Sequence, residues 1–141
     1  MDQSEIILQA AYKTARMGAQ TISTVLPKTM DQKMRGQMIS HLSRFDELSD
    51  RASEEMIRLG SEVKENSASE KMADFMVALK AAMNREATNL AEMMMNGAVM
   101  GVIELTRARN ENPSANPSAH QVAKDLEALC ETVIQDMKAY L

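Results

Sequence analysis

A chain of 141 residues is the size of one domain, and 45% apolar with 26% charged residues is the balance of a folded globular protein rather than a disordered one. The net charge of −4, with acids and bases mixed along the chain, leaves no electrostatic stripe for a phosphate backbone and sets nucleic acid aside as a partner. The methionine-rich composition, 14 Met with many Ala and Leu against 2 Phe, 2 Tyr and no Trp, favours helices over strands.

The first helix is expected over about residues 3–26. Ile7, Ala11, Thr14, Gly18, Thr21, Ile22 and Val25 recur at the spacing of one helical face. Asp2 with Glu5 suits a capping arrangement at its start. Pro27 ends it, because proline has no N–H to donate and crowds the preceding turn. The second helix, about residues 30–60, opens at a Thr29–Gln32 capping box. Its apolar face carries Met34, Met38, His41 or Leu42, Phe45, Leu48, Ala52, Met56 and Leu59. Gly60 stops it, since glycine takes the left-handed conformation without steric cost. A polar turn over 61–69 follows, with Ser67 and Glu70 as the next capping box.

The third helix reads as the longest, about residues 70–110, with a stripe that includes Met72, Phe75, Met76, Leu79, Met83, Leu90, Met94, Gly97, Gly101 and Leu105. At 1.5 Å per residue it would be roughly 60 Å long. It would outrun its partners, so a kink or break is expected before Asn84 or at the glycines. The run NENPSANPS at 110–118 is a loop. Asn116 as N-cap, with Pro117 at the first helical position, opens a fourth helix over about residues 117–140. Ala119, Val122, Leu126, Leu129, Val133, Met137 and Tyr140 share one of its faces. Four amphipathic helices joined by short turns bury their stripes most simply as one all-α, antiparallel up-down-up-down four-helix bundle over residues 1–141.

Location follows from what the helices lack. No stretch approaches the roughly 20 apolar residues that cross a bilayer, so no membrane is expected as a partner. Met1-Asp2-Gln3-Ser4-Glu5 lacks the positive region of a signal peptide. A single cysteine, Cys130, cannot form an internal disulfide and fits a reducing compartment. The cytoplasm is the expected location.

The sharpest local feature is AEMMMNGAVMGVIEL at 91–105. Helix arithmetic at about 100° per residue puts Met94, Gly97 and Gly101 on the face of Leu90, and Met95, Val99, Val102 and Ile103 on the opposite side. A helix apolar all round needs partners all round. Met95, Val99, Val102 and Ile103 are therefore the candidate interface, for a homodimer by preference, another homo-oligomer, or a different protein partner. Gly97 and Gly101 form a GxxxG spacing that lets helices approach closely, and Ala11, Ala15, Gly18 and Ala19 offer a matching small-residue surface. The plainer account is tight packing inside one chain.

Polar residues on apolar faces are the second feature. Glu86 and Glu104 lie within about 40° of the Leu90 direction, and His41 sits between Met38 and Phe45, so all three are expected inside. Buried carboxylates are costly unless paired or metal-bound. Either His41 hydrogen-bonds Glu86 or Glu104, or the three are candidate ligands of a metal ion. The Glu-x-x-His pairs of a di-iron bundle are absent, since Met38 and Pro117 stand where His41 and His120 would need a glutamate. Met93, Met94 and Met95 point in three directions, which suits core filling better than copper binding. Cys130 reads as a small buried hydrophobe. No GxGxxG, Walker loop, GxSxG, HExxH or CxxC occurs, so no cofactor is expected beyond the metal ion considered above, and no catalytic residue is assigned.

The chain resembles an uncharacterised bacterial family of short ferritin-like four-helix-bundle proteins. The resemblance rests on Leu26-Pro27-Lys28, on Leu59-Gly60, and most specifically on Asn89-Leu90-Ala91-Glu92-Met93-Met94 followed by Gly97 and Met100-Gly101. It implies a left-handed bundle with a hydrophobic third helix, and no particular activity. Proteins of this kind carry a histidine before the Leu-Ala-Glu-Met stretch, where this chain has Asn89. Three functions are open at this point. The first is a non-catalytic bundle acting through self-association or protein binding. The second is a ferritin-like metal-binding or metal-oxidising protein with a degenerate site. The third is a binder of an apolar ligand in a methionine-lined pocket of several hundred Å³, the usual order of size for such sites.

Overall fold

The computed structural model describes residues 2–63 and 70–141, and among them it is all helical. Five α-helices follow in order: α1 Gln3–Val25, α2 Gln32–Arg58, α3 Glu70–Ala82, α4 Ala87–Glu111 and α5 Pro117–Met137. Short 3-10 turns extend α1 over Leu26–Lys28 and α5 over Lys138–Tyr140.

The helix ends have local causes. The Asp2 carboxylate accepts from the Ser4 N–H at 3.4 Å and starts α1. Asp31, rather than Thr29, caps α2, accepting from the Met34 N–H at 2.8 Å. Thr29 instead places its one hydroxyl proton within reach of the Val25 carbonyl at 3.1 Å and Met38 Sδ at 3.3 Å. Gly60 follows α2 with φ +77°, the left-handed conformation that glycine takes freely. Asn116 precedes Pro117 as the N-cap of α5, but its side chain makes no cap bond. Its N–H donates to Ser4 Oγ at 2.8 Å, tying the loop before α5 to the start of α1. Of the capping box expected at Ser67 and Glu70, Ser67 lies outside the described residues.

The single long helix expected over 70–110 is two helices, α3 and α4, separated at residues 83–86. The break falls at Asn84, while α4 runs unbroken through Gly97 and Gly101. At the break, amide side chains replace helical hydrogen bonds. Asn84 Oδ1 accepts from the Glu86 N–H at 2.9 Å, and the Asn84 N–H donates to Asn89 Oδ1 at 3.1 Å. Such short polar side chains compete with the helical backbone and favour turns.

Chain directions follow from the contacts. Gly18 meets the Phe45 ring and Arg35 reaches the Leu26 carbonyl, so α1 and α2 are antiparallel. His41 pairs with Asp136 and Arg51 with Asp125, so α2 and α5 are antiparallel. Thr88 bonds the Tyr140 carbonyl while Arg109 meets Glu127, so α4 and α5 are antiparallel. The four long helices therefore run up, down, down, up. The up-down-up-down alternation expected from the sequence is corrected, because α3 supplies an additional reversal. The Thr21 hydroxyl meets Met76 Sδ and Arg85 reaches Met30, so α3 climbs alongside α1 before α4 descends.

One connected set of buried residues lies between α1, α2, α4 and α5, with Leu79 of α3 joining it. Ile7, Ile22, Met34, Met38, Leu105, Leu126 and Met137 are wholly enclosed. Of the expected apolar faces, Leu59 is the exception, 36% exposed at the end of α2. The rest of α3 packs against the edge of this set, with Phe75 over Gly97 and Met76 against Thr21.

Candidate functional site

The outer face of α4 carries the expected interface residues. Val99 and Ile103 are 45% and 48% exposed. Met95 and Val102, expected to share that exposure, are instead half-buried and pack against the core. On the helix they fall on the side that carries Thr106 and Arg109, whose side chains meet Glu127 of α5. Between Glu92 and Glu104 the helix bears no charge. Thr106, Arg107, Asn110 and Glu111 form a shallow groove with Val102 and Ile103 at the far end of this strip.

The inner face is closed by small residues. A Cβ on Gly101 would meet Cys130 Sγ at 3.0 Å and Thr14 Cγ2 at 3.1 Å, so α4 sits close to both α1 and α5 there. Gly97 faces Phe75 of α3, at 3.0 Å from an added Cβ. The GxxxG spacing is thus used inside the chain, while Gly18 faces Phe45 of α2 rather than α4. A cavity of about 20 Å³ remains among Thr14, Gly18, Met94, Gly97 and Cys130. It has room for about one water molecule and none for an organic ligand. The buried Thr14 hydroxyl has no hydrogen-bond partner among the described residues.

The three metal-ligand candidates do not converge. His41 is buried as expected, but its Nε2 lies 2.9 Å from Asp136 of α5, not from Glu86 or Glu104. Glu86 is exposed, with the extended backbone of the residue that caps α4, φ −70° and ψ 129°. Glu104 is half-buried and bonds Arg107 at 3.2 Å one turn along α4. Both glutamates are corrections to the expected inward placement. Among the described residues no group of three His, Cys, Asp or Glu side chains stands close enough to hold one metal ion.

Other polar contacts are structural. Glu127 is largely covered, accepting from Thr106 at 2.8 Å and from Arg109 at 2.7 Å. Burial would raise the Asp125 carboxyl, but hydrogen bonds from Arg51 and Gln121, with the charges of Arg51 and Arg44, hold it below its ordinary value. Burial, then the charges of Glu127 and Glu131, pushes the Cys130 thiol up to about 12. A thiol so protonated is no nucleophile near neutrality.

Fold and surface together define a class: an all-helical protein whose fourth helix exposes Val99 and Ile103 on an uncharged stretch. No helix among the described residues is long and apolar enough to cross a membrane. Comparisons with protein-family models, with curated proteins and with solved structures find no match.

Proposed function

We propose that this chain is a non-catalytic helical bundle that works by pairing with a second copy of itself through the outer face of α4. The observation that carries the reading is the exposure of Val99 and Ile103 on a helix stretch without charge. Leaving two large apolar side chains in water on adjacent turns is unfavourable unless a partner covers them. An antiparallel pairing centred on Val99 sets Ile103 against the partner's Met95, so one strip serves both copies, as a two-fold interface requires. In this reading α1, α2, α4 and α5 are a four-helix bundle of ferritin-like connectivity, with α3 in the long crossover between the second and third long helices. The up, down, down, up order supports that connectivity, which uses one such crossover.

The test is molar mass by light scattering across a concentration series. Wild type should weigh twice the chain, and Val99→Lys with Ile103→Lys should weigh one chain at unchanged helicity. A wild-type protein that stays a monomer at high concentration sinks the proposal.

A further inference from the structure

A second pocket, of about 250 Å³, lies between α1 and α3. Met17, Met72, Met76, Ala73 and Tyr12 form most of its wall, with Lys13, Arg16 and Gln20 as its polar part. Methionine side chains are flexible and polarizable, so three of them make a wall that adapts to an aliphatic guest. Met76 Sδ lies 3.7 Å from the Thr21 hydroxyl, whose proton goes to the Met17 carbonyl at 2.8 Å. The two cations differ. Arg16 stands 3.7 Å from Asp46 and is already partly neutralised. Lys13 is half-buried and has no ion-pair partner among the described residues.

We propose that this pocket binds a short-chain aliphatic carboxylate, its tail among Met17, Met72 and Met76 and its carboxylate on the Lys13 ammonium. The volume sets the size of the guest. Ligand pockets usually run from about 300 to 1,000 Å³, so this one takes a short chain rather than a membrane lipid. An ammonium with no ion-pair partner among the described residues, set beside an apolar wall, selects an anion over a neutral chain of equal length, because a charge-assisted hydrogen bond is stronger than a neutral one. Arg16 and Gln20 add a second donor side to the same wall.

The experiment is methyl NMR of the full chain labelled at its methionines, titrated with octanoate and, separately, with octanol. Octanoate should shift the Met17, Met72 and Met76 methyls saturably and leave Met34 and Met137, enclosed elsewhere in the core, in place. Lys13→Ala should weaken octanoate binding by roughly tenfold, the size of one charge-assisted hydrogen bond, and leave octanol binding unchanged. Ala73→Leu, which fills the pocket from an exposed position on α3, should abolish both. Shifts that fail to saturate, that spread over the other methionines, or that survive Lys13→Ala undiminished overturn the proposal.

Discussion

His41 Nε2 lies 2.9 Å from a carboxylate oxygen of Asp136, joining the middle of α2 to the end of α5. The two partners are unequally placed. The imidazole side chain is 7% exposed and the carboxylate 33%. Loss of either partner should therefore cost different amounts. Asp136→Ala leaves a buried ring nitrogen without its partner, which costs ~1–3 kcal/mol. His41→Met leaves a carboxylate that water can reach and fills the site with an apolar chain, so it should cost less. Urea unfolding of the two variants checks the order, and equal losses would contradict the asymmetry.

Gly18 and Gly36 should respond to alanine with opposite signs. A Cβ on Gly18 would lie 2.6 Å from the Phe45 ring, whose residue is 4% exposed and held among core side chains. Overpacking of this kind costs ~1–3 kcal/mol and outweighs the helix-propensity gain of about 1 kcal/mol. Gly36, in α2, has nothing within 4 Å of the added carbon. Gly36→Ala should stabilise by ~0.5–1 kcal/mol. Paired thermal melts read both, and a stabilising Gly18→Ala would show that the ring moves freely.

Cys130 should be almost inert until the chain unfolds. Its thiol is pushed from an ordinary 9.0 to about 12, chiefly by burial. At pH 8 that leaves about a thousandfold less thiolate than an exposed cysteine carries, before steric protection is counted. The sign for stability is set by the same shift. A raised folded value contributes stability that is complete below pH 9 and lost as pH rises toward 12, since only the unfolded chain then releases its proton. Reaction with a thiol-specific disulfide reagent should be slow in buffer and fast in denaturant. Rapid labelling of folded protein would place the thiol outside the core.

The helix positions were legible because apolar residues recur every three or four positions, and the buried core follows that stripe in α1, α2 and α5. The split between α3 and α4 was only half legible. No Gly or Pro marks 83–86, and the apolar stripe runs through Met83 to Leu90, because both helices turn their faces to the same core. Carrying one helical phase across that break placed Glu86 inside, whereas its backbone is the extended cap of α4. The up, down, down, up order is invisible for the same reason, since it depends on the extra reversal. At the candidate site, Val99 and Ile103 could be found by angle alone, being far from Gly97 on one intact helix. Asp136 as the partner of His41 could not. That pairing is set by which helices are neighbours, and no spacing within α2 records it. The pocket under α3 was equally hidden, because its wall is drawn from two helices whose contact the sequence does not announce.

Arg51 and Asp125 meet at 2.8 Å between α2 and α5, with Gln121 donating to the other carboxylate oxygen at 2.8 Å. Burial pushes the carboxyl up, but these bonds and the charges of Arg51 and Arg44 prevail and set it below its ordinary 3.8. A depressed folded value contributes stability above pH 3.8 that disappears as pH falls through the folded value. Both side chains are about a third exposed, 38% and 34%, so solvent screening holds the pair to ~0.2–1 kcal/mol. Asp125→Asn should lower stability by that amount at pH 7. The gap between wild type and variant should close below pH 3.8, because the wild-type carboxyl then becomes neutral as well. Urea unfolding at a series of pH values checks this. A gap that stays constant into acid would mean that packing of α5 on α2, and not the charge of Asp125, carries the contact.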